Sequence, residues 1–273
     1  MSRSIAEGPA GTARTSHSEV SATALLDQWL GVRVPACTLF LDVDGTLLDI
    51  ATSPGAVFVP DELRGALQTL YERLGGALAL VSGRTVDNLD RLFAPLRLPA
   101  SGGHGFQWRV SPHEPLYSEA EPSLVAAIRE RLYSLAGEHA GVLVEDKGWS
   151  IALHYRAAPA CREALASALH TLLSDPDASG LRLLPGKMVF EVLPHVCDKA
   201  KAVSRLLAEP PFAGRRPLFI GDDVTDEPAL VRVSELGGLA LSVGYLLPGA
   251  SAAFAEPAAV RAALIAAARE MPP

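Results

Sequence analysis

The segment from residue 38 to residue 50, which reads TLFLDVDGTLLDI, constrains the fold of this chain more strongly than any other stretch. Its apolar run at 39–41 is typical of a strand that is buried on both faces of a parallel sheet. Asp42 and Asp44 follow this run directly, and Gly45 ends it. Ligands of open α/β sheets bind just beyond the carboxyl ends of the strands. The segment therefore predicts two aspartates in the crevice where such a fold binds its ligands.

Alternating strand and helix patterns predict the rest of this core. Such alternation is typical of a doubly wound, Rossmann-like parallel sheet, so the predicted fold class is α/β. A short helix is also predicted at 22–30, before the first strand. The predicted helices of the core span 60–74, 85–93, 198–208 and 258–270, and its further buried strands span 77–81, 217–221 and 239–243.

Between residues 106 and 195 the pattern changes to short strands with alternating polar residues and two helices. Because the buried-strand pattern resumes afterwards, we interpret this stretch as an α+β cap domain inserted into the core. The core is then expected to comprise residues 32–105 and 196–273, after a disordered tail and short helix at 1–31. The predicted helices of the cap span 122–138 and 159–173, and its predicted strands span 141–147, 149–156, 181–184 and 187–193.

The charge and the cysteines of the chain argue against several classes of protein. The formal net charge of −7 disfavours nucleic acids and anionic membranes as partners. No apolar run approaches the ~20 residues of a membrane helix. Cys37, Cys161 and Cys197 lie far apart and without the spacing of metal ligands. We therefore expect a reducing, cytoplasmic environment and no disulfide framework.

Carboxylates are concentrated at the predicted strand ends, and this arrangement suits phosphoryl transfer. So many acidic groups in one crevice would repel each other, and Mg²⁺ is the hard cation that suits carboxylate and phosphate oxygens. Asp42 is the predicted nucleophile, and Asp44 is predicted to protonate the leaving oxygen and later to accept a proton from water. The predicted metal ligands are Asp42, Asp44 (through its backbone carbonyl), Asp222 and Asp223. Asp226 is expected to cap the next helix, and whether it also binds the metal stays open.

Two further segments offer groups for a phosphate. Ser82 lies in a strand–turn–helix pattern, where a hydroxyl, backbone N–H groups and a helix N-terminus can all donate to an oxyanion. A cation besides the metal is also expected at a phosphoryl-transfer site. Lys199 begins the helix before the strand at 217–221 and is the first candidate, and Lys201 is the alternative.

In chain order, these segments resemble the four motifs of the haloacid-dehalogenase-like (HAD) superfamily of phosphotransferases. After about residue 35, the chain resembles more narrowly the trehalose-6-phosphate phosphatase family. The matching segments are Asp42-Val-Asp-Gly-Thr-Leu, Ser82-Gly-Arg84, His104-Gly105, Glu145-Asp-Lys147, His154-Tyr-Arg156, Gly186-Lys187-Met-Val-Phe-Glu191 and Gly221-Asp-Asp-Val-Thr-Asp-Glu227. This chain departs from the family in two places: Asp198-Lys199-Ala200 stands where the family usually has Asn-Lys-Gly, and Gln107 stands where it usually has Glu.

The resemblance implies a Mg²⁺-dependent phosphatase that converts trehalose 6-phosphate to trehalose and phosphate through a phospho-aspartyl intermediate. It also implies a functional link to a separate synthase that makes this sugar phosphate. The substrate-binding residues that the resemblance implies are Arg84, His104, Glu145, Lys147, His154, Arg156, Lys187 and Glu191.

Two alternatives for the function remain open. Strand side chains alternate between the two faces of a sheet. The charged face of the predicted cap strands is therefore not by itself a sign of a sugar site, because a half-exposed antiparallel sheet without any ligand also has a polar face. Another capped HAD phosphatase, acting on sucrose phosphate or a mannosyl phosphate, is the first alternative. The second is a non-catalytic regulator that binds a sugar phosphate. The pair of Asp42 and Asp44 argues against the regulator, because binding alone needs no acid/base pair.

Overall fold

The computed structural model describes residues 21–33, 36–50, 57–119 and 126–270. The tail expected before residue 21 and the first turn of the helix expected at 122 lie outside these ranges. The helices are α1 (Ala22–Arg33), α2 (Asp61–Arg73), α3 (Val86–Phe93), α4 (Ala126–Gly137), α5 (Arg162–Leu173), α6 (Lys199–Leu206), α7 (Glu227–Glu235) and α8 (Pro257–Glu270). The strands are β1 (Cys37–Leu41), β2 (Leu78–Val81), β3 (Ala100–Gly102), β4 (Gln107–Arg109), β5 (Tyr117–Ser118), β6 (Leu143–Asp146), β7 (Ile151–His154), β8 (Leu181–Gly186), β9 (Val189–Pro194), β10 (Arg216–Gly221), β11 (Leu239–Val243) and β12 (Ala252–Phe254).

Most of the strands belong to one large sheet with the order β12-β11-β10-β1-β2-β3-β4-β5. Neighbouring strands from β12 through to β3 are parallel. The chain passes from β1 to β2 on one side of the sheet, whereas β10 and β11 extend it on the other side. The strand order therefore reverses between β1 and β10, and α/β proteins bind ligands outside such a switch point. This topology confirms the predicted doubly wound α/β core.

Buried strands and two groups of helices form the core of this sheet. Strands β1, β2 and β11 are buried along their whole length, which explains why they read as continuous apolar runs. Helices α1, α2 and α8 pack together, and α6 packs with α7. Helix α2 connects β1 to β2 and α7 connects β10 to β11 in the opposite direction along the sheet, so right-handed crossovers place these two helices on opposite faces. Helix α2 buries Leu63, Leu67 and Leu70, three members of the predicted apolar stripe. Within the described ranges, no helix combines the length and the apolar character that crossing a bilayer requires.

A second, antiparallel sheet has the order β6-β7-β9-β8. Helices α4 and α5 pack against it. Apolar side chains of this sheet and of both helices form a separate hydrophobic cluster, which includes Ile128, Leu132, Leu165 and Phe190. This unit is the α+β insertion that the sequence predicts, and its role as a cap stays a proposal.

The core boundary predicted at residue 105 needs correction. Strand β4 pairs with β3 and β5 pairs with β4, both antiparallel, so the large sheet continues as far as Ser118. A short alternating strand suits the edge of either sheet, and its pattern does not say to which sheet it belongs. Strands β3 and β12 were not predicted either, because each has three residues and consists mainly of small side chains.

Candidate active site

The carboxyl ends of β1 and β10 bring the first and last acidic motifs together. The two strands are parallel neighbours, with Leu41 paired to Ile220. The backbone N–H of Asp42 donates to the Ile220 carbonyl at 3.0 Å, which extends the strand pairing to the aspartate itself. Asp42 is 3% exposed and Asp222, directly after β10, is 4% exposed. The sheet therefore holds both carboxylates in a crevice that is largely closed to water.

Gly45 allows the turn after β1 to approach Asp222 closely. Its φ of +87° lies in the left-handed region, which glycine adopts without the usual steric cost. A Cβ at this position would lie 2.1 Å from Oδ2 of Asp222. Any other residue at this position would therefore displace the Asp222 carboxylate.

Lys199 supplies the cation of this crevice. It is 3% exposed, and its Nζ lies 2.8 Å from Oδ1 of Asp42 and 2.6 Å from Oδ1 of Asp226. Asp198 caps helix α6 by accepting from the N–H of Ala200 at 2.7 Å, a contact that the family's usual Asn can also make. Lys201, the alternative candidate, is exposed. Of the two lysines, the structure brings Lys199 to the predicted nucleophile.

The side chain of Asp226 makes contacts that the sequence did not predict. It occupies the N-cap position of α7, but its side chain makes no capping hydrogen bond. Instead its Oδ2 accepts from the backbone N–H groups of Asp222 and Asp223, each at 3.1 Å, while Oδ1 accepts from Lys199. Its carboxylate therefore anchors both the motif after β10 and Lys199. The sequence feature that could have indicated these contacts is the spacing of four residues between Asp222 and Asp226.

The acidic cluster differs from the predicted metal ligands. Among the described residues, carboxylate oxygens of Asp42, Asp222 and Asp226 lie within 4.8 Å of one another. The Asp223 carboxylate lies outside this group and accepts at 2.8 Å from the N–H of Val224, so its place among the metal ligands stays a prediction. We call Asp42, Asp222, Asp226 and Lys199 the core cluster.

Burial raises the pKa values of the carboxylates in the core cluster. Desolvation and the nearby Asp226 raise the pKa of Asp42 to about 7, although Lys199 opposes this shift. Burial and Asp42 raise the pKa of Asp222 to about 6. Burial favours the neutral amine of Lys199, but Asp226 and Asp42 outweigh it and hold the pKa of Lys199 above its usual value. Lys199 alone does not offset the negative charge of this cluster.

Arg84 contacts the predicted acid/base residue. Its Nε and Nη2 donate to the two carboxylate oxygens of Asp44, each at 2.6 Å, and its Nη1 donates to Oδ1 of Asn88 at 2.8 Å. Ser82 is buried, and its hydroxyl oxygen accepts from the N–H of Arg84 at 3.2 Å. Arg84 was predicted to bind substrate, and the structure adds a contact that orients the Asp44 carboxylate. The phosphate contact predicted for Ser82 stays a prediction.

A second polar network joins the two sheets. Oε1 of Glu191, on β9, accepts from Nζ of Lys147 at 3.0 Å and from Oγ of Ser150 at 2.6 Å. Its Oε2 lies 3.4 Å from Nε2 of His104, which belongs to the core. The Lys147 ammonium also donates to the Gly83 carbonyl at 3.1 Å, in the turn after β2. We call Glu191, Lys147, His104 and Ser150 the interface network.

Charge pairing dominates the pKa values in the interface network. Burial would raise the pKa of Glu191, but Lys147 and hydrogen bonds from His104 and Ser150 outweigh it and hold that pKa well below its usual range. Burial lowers the pKa of His104, and Glu191 opposes this shift only in part. The network therefore pairs one ionised carboxylate with one ammonium group and an imidazole that burial keeps neutral.

The remaining predicted substrate residues lie around these two groups. Nζ of Lys187, in the turn between β8 and β9, lies 2.7 Å from Oδ2 of Asp222, so this lysine contacts the core cluster. Glu145 and His154 pair with each other at 2.9 Å across β6 and β7. Arg156 is exposed and follows the end of β7. Their contacts with a substrate stay predictions.

Comparisons with known proteins identify a family and a fold for this chain. The model of the family described as trehalose-phosphatase matches residues 40–243, a range that contains both the core cluster and the interface network. The structure of the trehalose-6-phosphate phosphatase C-terminal domain from C. albicans covers 93% of this chain and 99% of its own, with a TM-score of 0.79. At 21% identity, this likeness concerns the fold.

Two named relatives cover most of the chain. A probable trehalose-phosphate phosphatase from Sinorhizobium fredii is 42% identical over 236 residues, which are 86% of this chain and 84% of that protein. The trehalose-6-phosphate phosphatase of Escherichia coli is 36% identical over 205 residues, which are 75% of this chain and 76% of that protein. By the family match and by both relatives, the chain belongs to the trehalose-phosphatase family.

Proposed function

We propose that this protein is a phosphatase that hydrolyses trehalose 6-phosphate to trehalose and inorganic phosphate. The observation that carries the proposal is the core cluster, in which Asp42, Asp222 and Lys199 meet at the strand edge where α/β proteins bind ligands. The interface network, which joins the two sheets, offers donors and acceptors that can hydrogen-bond the hydroxyl groups of a sugar. Membership of the trehalose-phosphatase family supports the same activity.

The residues of the crevice suit a two-step reaction. Asp42 attacks the phosphorus atom and forms an acyl phosphate while the bond to the sugar oxygen breaks. Asp44 gives that oxygen a proton, and it later accepts a proton from the water that attacks phosphorus and releases phosphate. Arg84 fixes the plane of the Asp44 carboxylate and leaves a lone pair on each oxygen for these transfers. Lys199 holds Asp42 in place, and Ser82 is proposed to donate to the phosphoryl oxygens.

The donor set of the core cluster fits a Mg²⁺ ion. Asp226 uses both of its oxygens on Lys199 and two backbone N–H groups, so it anchors the cluster. Asp42 and Asp222, with the backbone carbonyl of Asp44, are the proposed ligands, and such a small set of oxygens suits Mg²⁺. When bound, Mg²⁺ would neutralise the carboxylates and the charge of the phosphoryl group.

The second sheet is proposed to act as a cap that holds the sugar. Glu191, Lys147 and His104 would hydrogen-bond its hydroxyl groups, and a ligand that does not match them would leave buried polar groups unpaired. Closure of the cap over the phosphate would also exclude water from the reaction. Glu145, His154, Arg156 and Lys187 are proposed to extend this sugar site.

The proposal also includes the setting of the reaction. A separate synthase must supply the phosphorylated disaccharide, so we propose a functional link to such an enzyme. We also propose a cytoplasmic location, which suits the three free cysteines.

Phosphate release from a panel of sugar phosphates tests the proposed function. The panel should contain trehalose 6-phosphate, sucrose 6-phosphate, a mannosyl phosphate and glucose 6-phosphate, each with Mg²⁺ and with a chelator. We expect the highest kcat/KM for trehalose 6-phosphate, and only with Mg²⁺. A higher kcat/KM for another sugar phosphate would replace the proposed substrate, and tight binding without phosphate release would favour the regulator.

A further inference from the structure

Ser150 lies at the centre of the interface network, although neither the sequence motifs nor the proposed mechanism assigns it a role. It is fully buried, directly before β7. Its hydroxyl donates to Oε1 of Glu191 at 2.6 Å. Its backbone carbonyl accepts from the N–H of Lys147 at 3.0 Å. A single serine thus holds both charged partners of the network.

These contacts close a ring of hydrogen bonds. Nζ of Lys147 lies 3.0 Å from the same Glu191 oxygen that Ser150 contacts, and it reaches the Gly83 carbonyl of the core at 3.1 Å. Glu191 has three rotatable side-chain bonds, and apart from Ser150 its carboxylate is held by Lys147 at Oε1 and by the longer, 3.4 Å contact of Oε2 with His104. The Ser150 hydroxyl supplies a second donor to Oε1 and restricts rotation about these bonds.

The turn that carries Ser150 is itself packed against the core. The ring of Trp149 stacks on Phe106 with 4.6 Å between centroids. A Cβ on Gly103 would lie 2.6 Å from the same Trp149 ring, so the turn approaches the core backbone closely. Ser150 therefore has a defined position relative to both sheets, and its hydrogen bond can hold the Glu191 carboxylate in a defined orientation.

We propose that Ser150 is a positioning residue that orients Glu191 and Lys147 and thereby sets the selectivity for sugar phosphates. It acts through these two side chains and does not touch the substrate. The inference rests on the proposed function, because it names a further determinant of the same sugar site. Recognition by directional hydrogen bonds depends on how firmly the recognising groups are held.

The test compares a sugar phosphate with an aryl phosphate in the parent and in five variants. Ser150→Ala should lower the ratio of kcat/KM for trehalose 6-phosphate to kcat/KM for p-nitrophenyl phosphate by about tenfold, mainly through KM. Ser150→Thr keeps the hydroxyl group and should restore most of the ratio. In the background of Glu191→Ala, adding Ser150→Ala should cause no further loss, because Ser150 acts through Glu191. Ser174→Ala serves as the control, because it removes a hydroxyl that donates to the His170 carbonyl at the end of helix α5, away from the interface network.

Each outcome separates this inference from the proposed function. An equal loss on both substrates in Ser150→Ala would reduce Ser150 to a structural residue and overturn the inference while the function stands. A further loss in the double variant would show that Ser150 does not act through Glu191. If the parent prefers another sugar phosphate, the proposed substrate is wrong and the same ratio is measured with that sugar. If the parent hydrolyses p-nitrophenyl phosphate but no sugar phosphate, both the function and the inference are wrong.

Discussion

The core cluster and the interface network both contain buried carboxylates, yet the net pKa shifts of these carboxylates are opposite in direction. In the core cluster the pKa of Asp42 rises to about 7 and that of Asp222 to about 6. In the interface network the pKa of Glu191 is held well below its usual range. In the core cluster Lys199 contacts two of the three carboxylates and the nearby Lys187 contacts the third, so two ammonium groups face three carboxylates. Glu191 is instead the one carboxylate of its network, beside one ammonium, one hydroxyl and one imidazole.

The opposite pKa shifts indicate whether each site still requires a cation. A cluster with surplus negative charge is incomplete without a further cation, which is the property expected of a metal-dependent phosphoryl-transfer site. A balanced network needs no ion, and it can present fixed donors and acceptors to a neutral sugar. We therefore assign the chemistry to the core cluster and the selectivity to the interface network, and the following predictions test that division.

The largest expected effect is that of Asp42→Asn. The change is nearly isosteric, so the fold should persist while the nucleophile is lost. We expect kcat to fall on the order of 10⁴-fold or more on every substrate. Circular dichroism checks the fold and phosphate release checks turnover. Substantial turnover in a folded variant would place the nucleophile elsewhere.

Chelation should have the next largest effect, because it leaves the charges of the core cluster unbalanced. We expect a loss of at least about 10²-fold in activity. Mg²⁺ should restore activity better than Ca²⁺, since calcium accepts more ligands at longer distances. Mg²⁺ should also raise the Tm of the parent more than that of Asp222→Asn. Full activity in excess chelator would contradict the assignment of the chemistry.

The raised pKa values predict how the stability of the protein depends on pH in chelator. In the folded protein Asp42 and Asp222 stay protonated up to their raised pKa values, whereas in the unfolded chain both lose their protons near the ordinary pKa of 3.8. The stability that these protons provide is complete below about pH 4 and is lost as pH rises through the folded pKa values. Asp42→Asn removes one such group, so the decrease in the free energy of unfolding with rising pH should be smaller in this variant, by the order of a few kcal/mol.

Urea unfolding of the parent and of Asp42→Asn, at several values between about pH 4.5 and pH 7.5, checks this prediction. The exposed Asp61 pairs with Arg64 in its own helix and, among the residues that the structure describes, with no other charged group, so Asp61→Asn is the control. Glu191 is ionised in both states over most of this range, because its unfolded value is 4.5 and its folded pKa is lower. Parallel curves for the parent and Asp42→Asn would show that Asp42 titrates normally in the folded protein.

The sequence predicted the residues whose positions follow from strand ends. Asp42 and Asp222 could be placed because parallel strands end at one edge of a sheet. Asp226 was assigned to helix capping because a carboxylate before a helix suits that role equally well, and only the turn after β10 aims it at the backbone of Asp222 and Asp223. Ser150 gave no signal, since one serine in an alternating strand is unremarkable until its partner across the sheet is known.

For the fold, the success of the predictions depended on how many residues each strand contributes to the sequence pattern. Long apolar strands such as β1 and β11 were predicted within a residue or two, because their burial on both faces appears directly in the sequence. Short strands such as β4 were not, because three residues do not reveal which sheet they join. The departure at Gln107 also had no predicted role, and its side-chain carbonyl accepts at 3.3 Å from the N–H of Val86 at the start of α3.

The division between chemistry and selectivity is tested most directly by one residue from each region and two substrates. We predict that Asp222→Asn lowers kcat/KM for trehalose 6-phosphate and for p-nitrophenyl phosphate by the same factor, because both need the core cluster. Glu191→Ala should lower kcat/KM for trehalose 6-phosphate by at least about tenfold, as expected for a lost charge-assisted hydrogen bond, and should affect the aryl phosphate far less. An equal loss on both substrates in Glu191→Ala would contradict the account, because Glu191 would then support the fold or the metal site instead of the sugar.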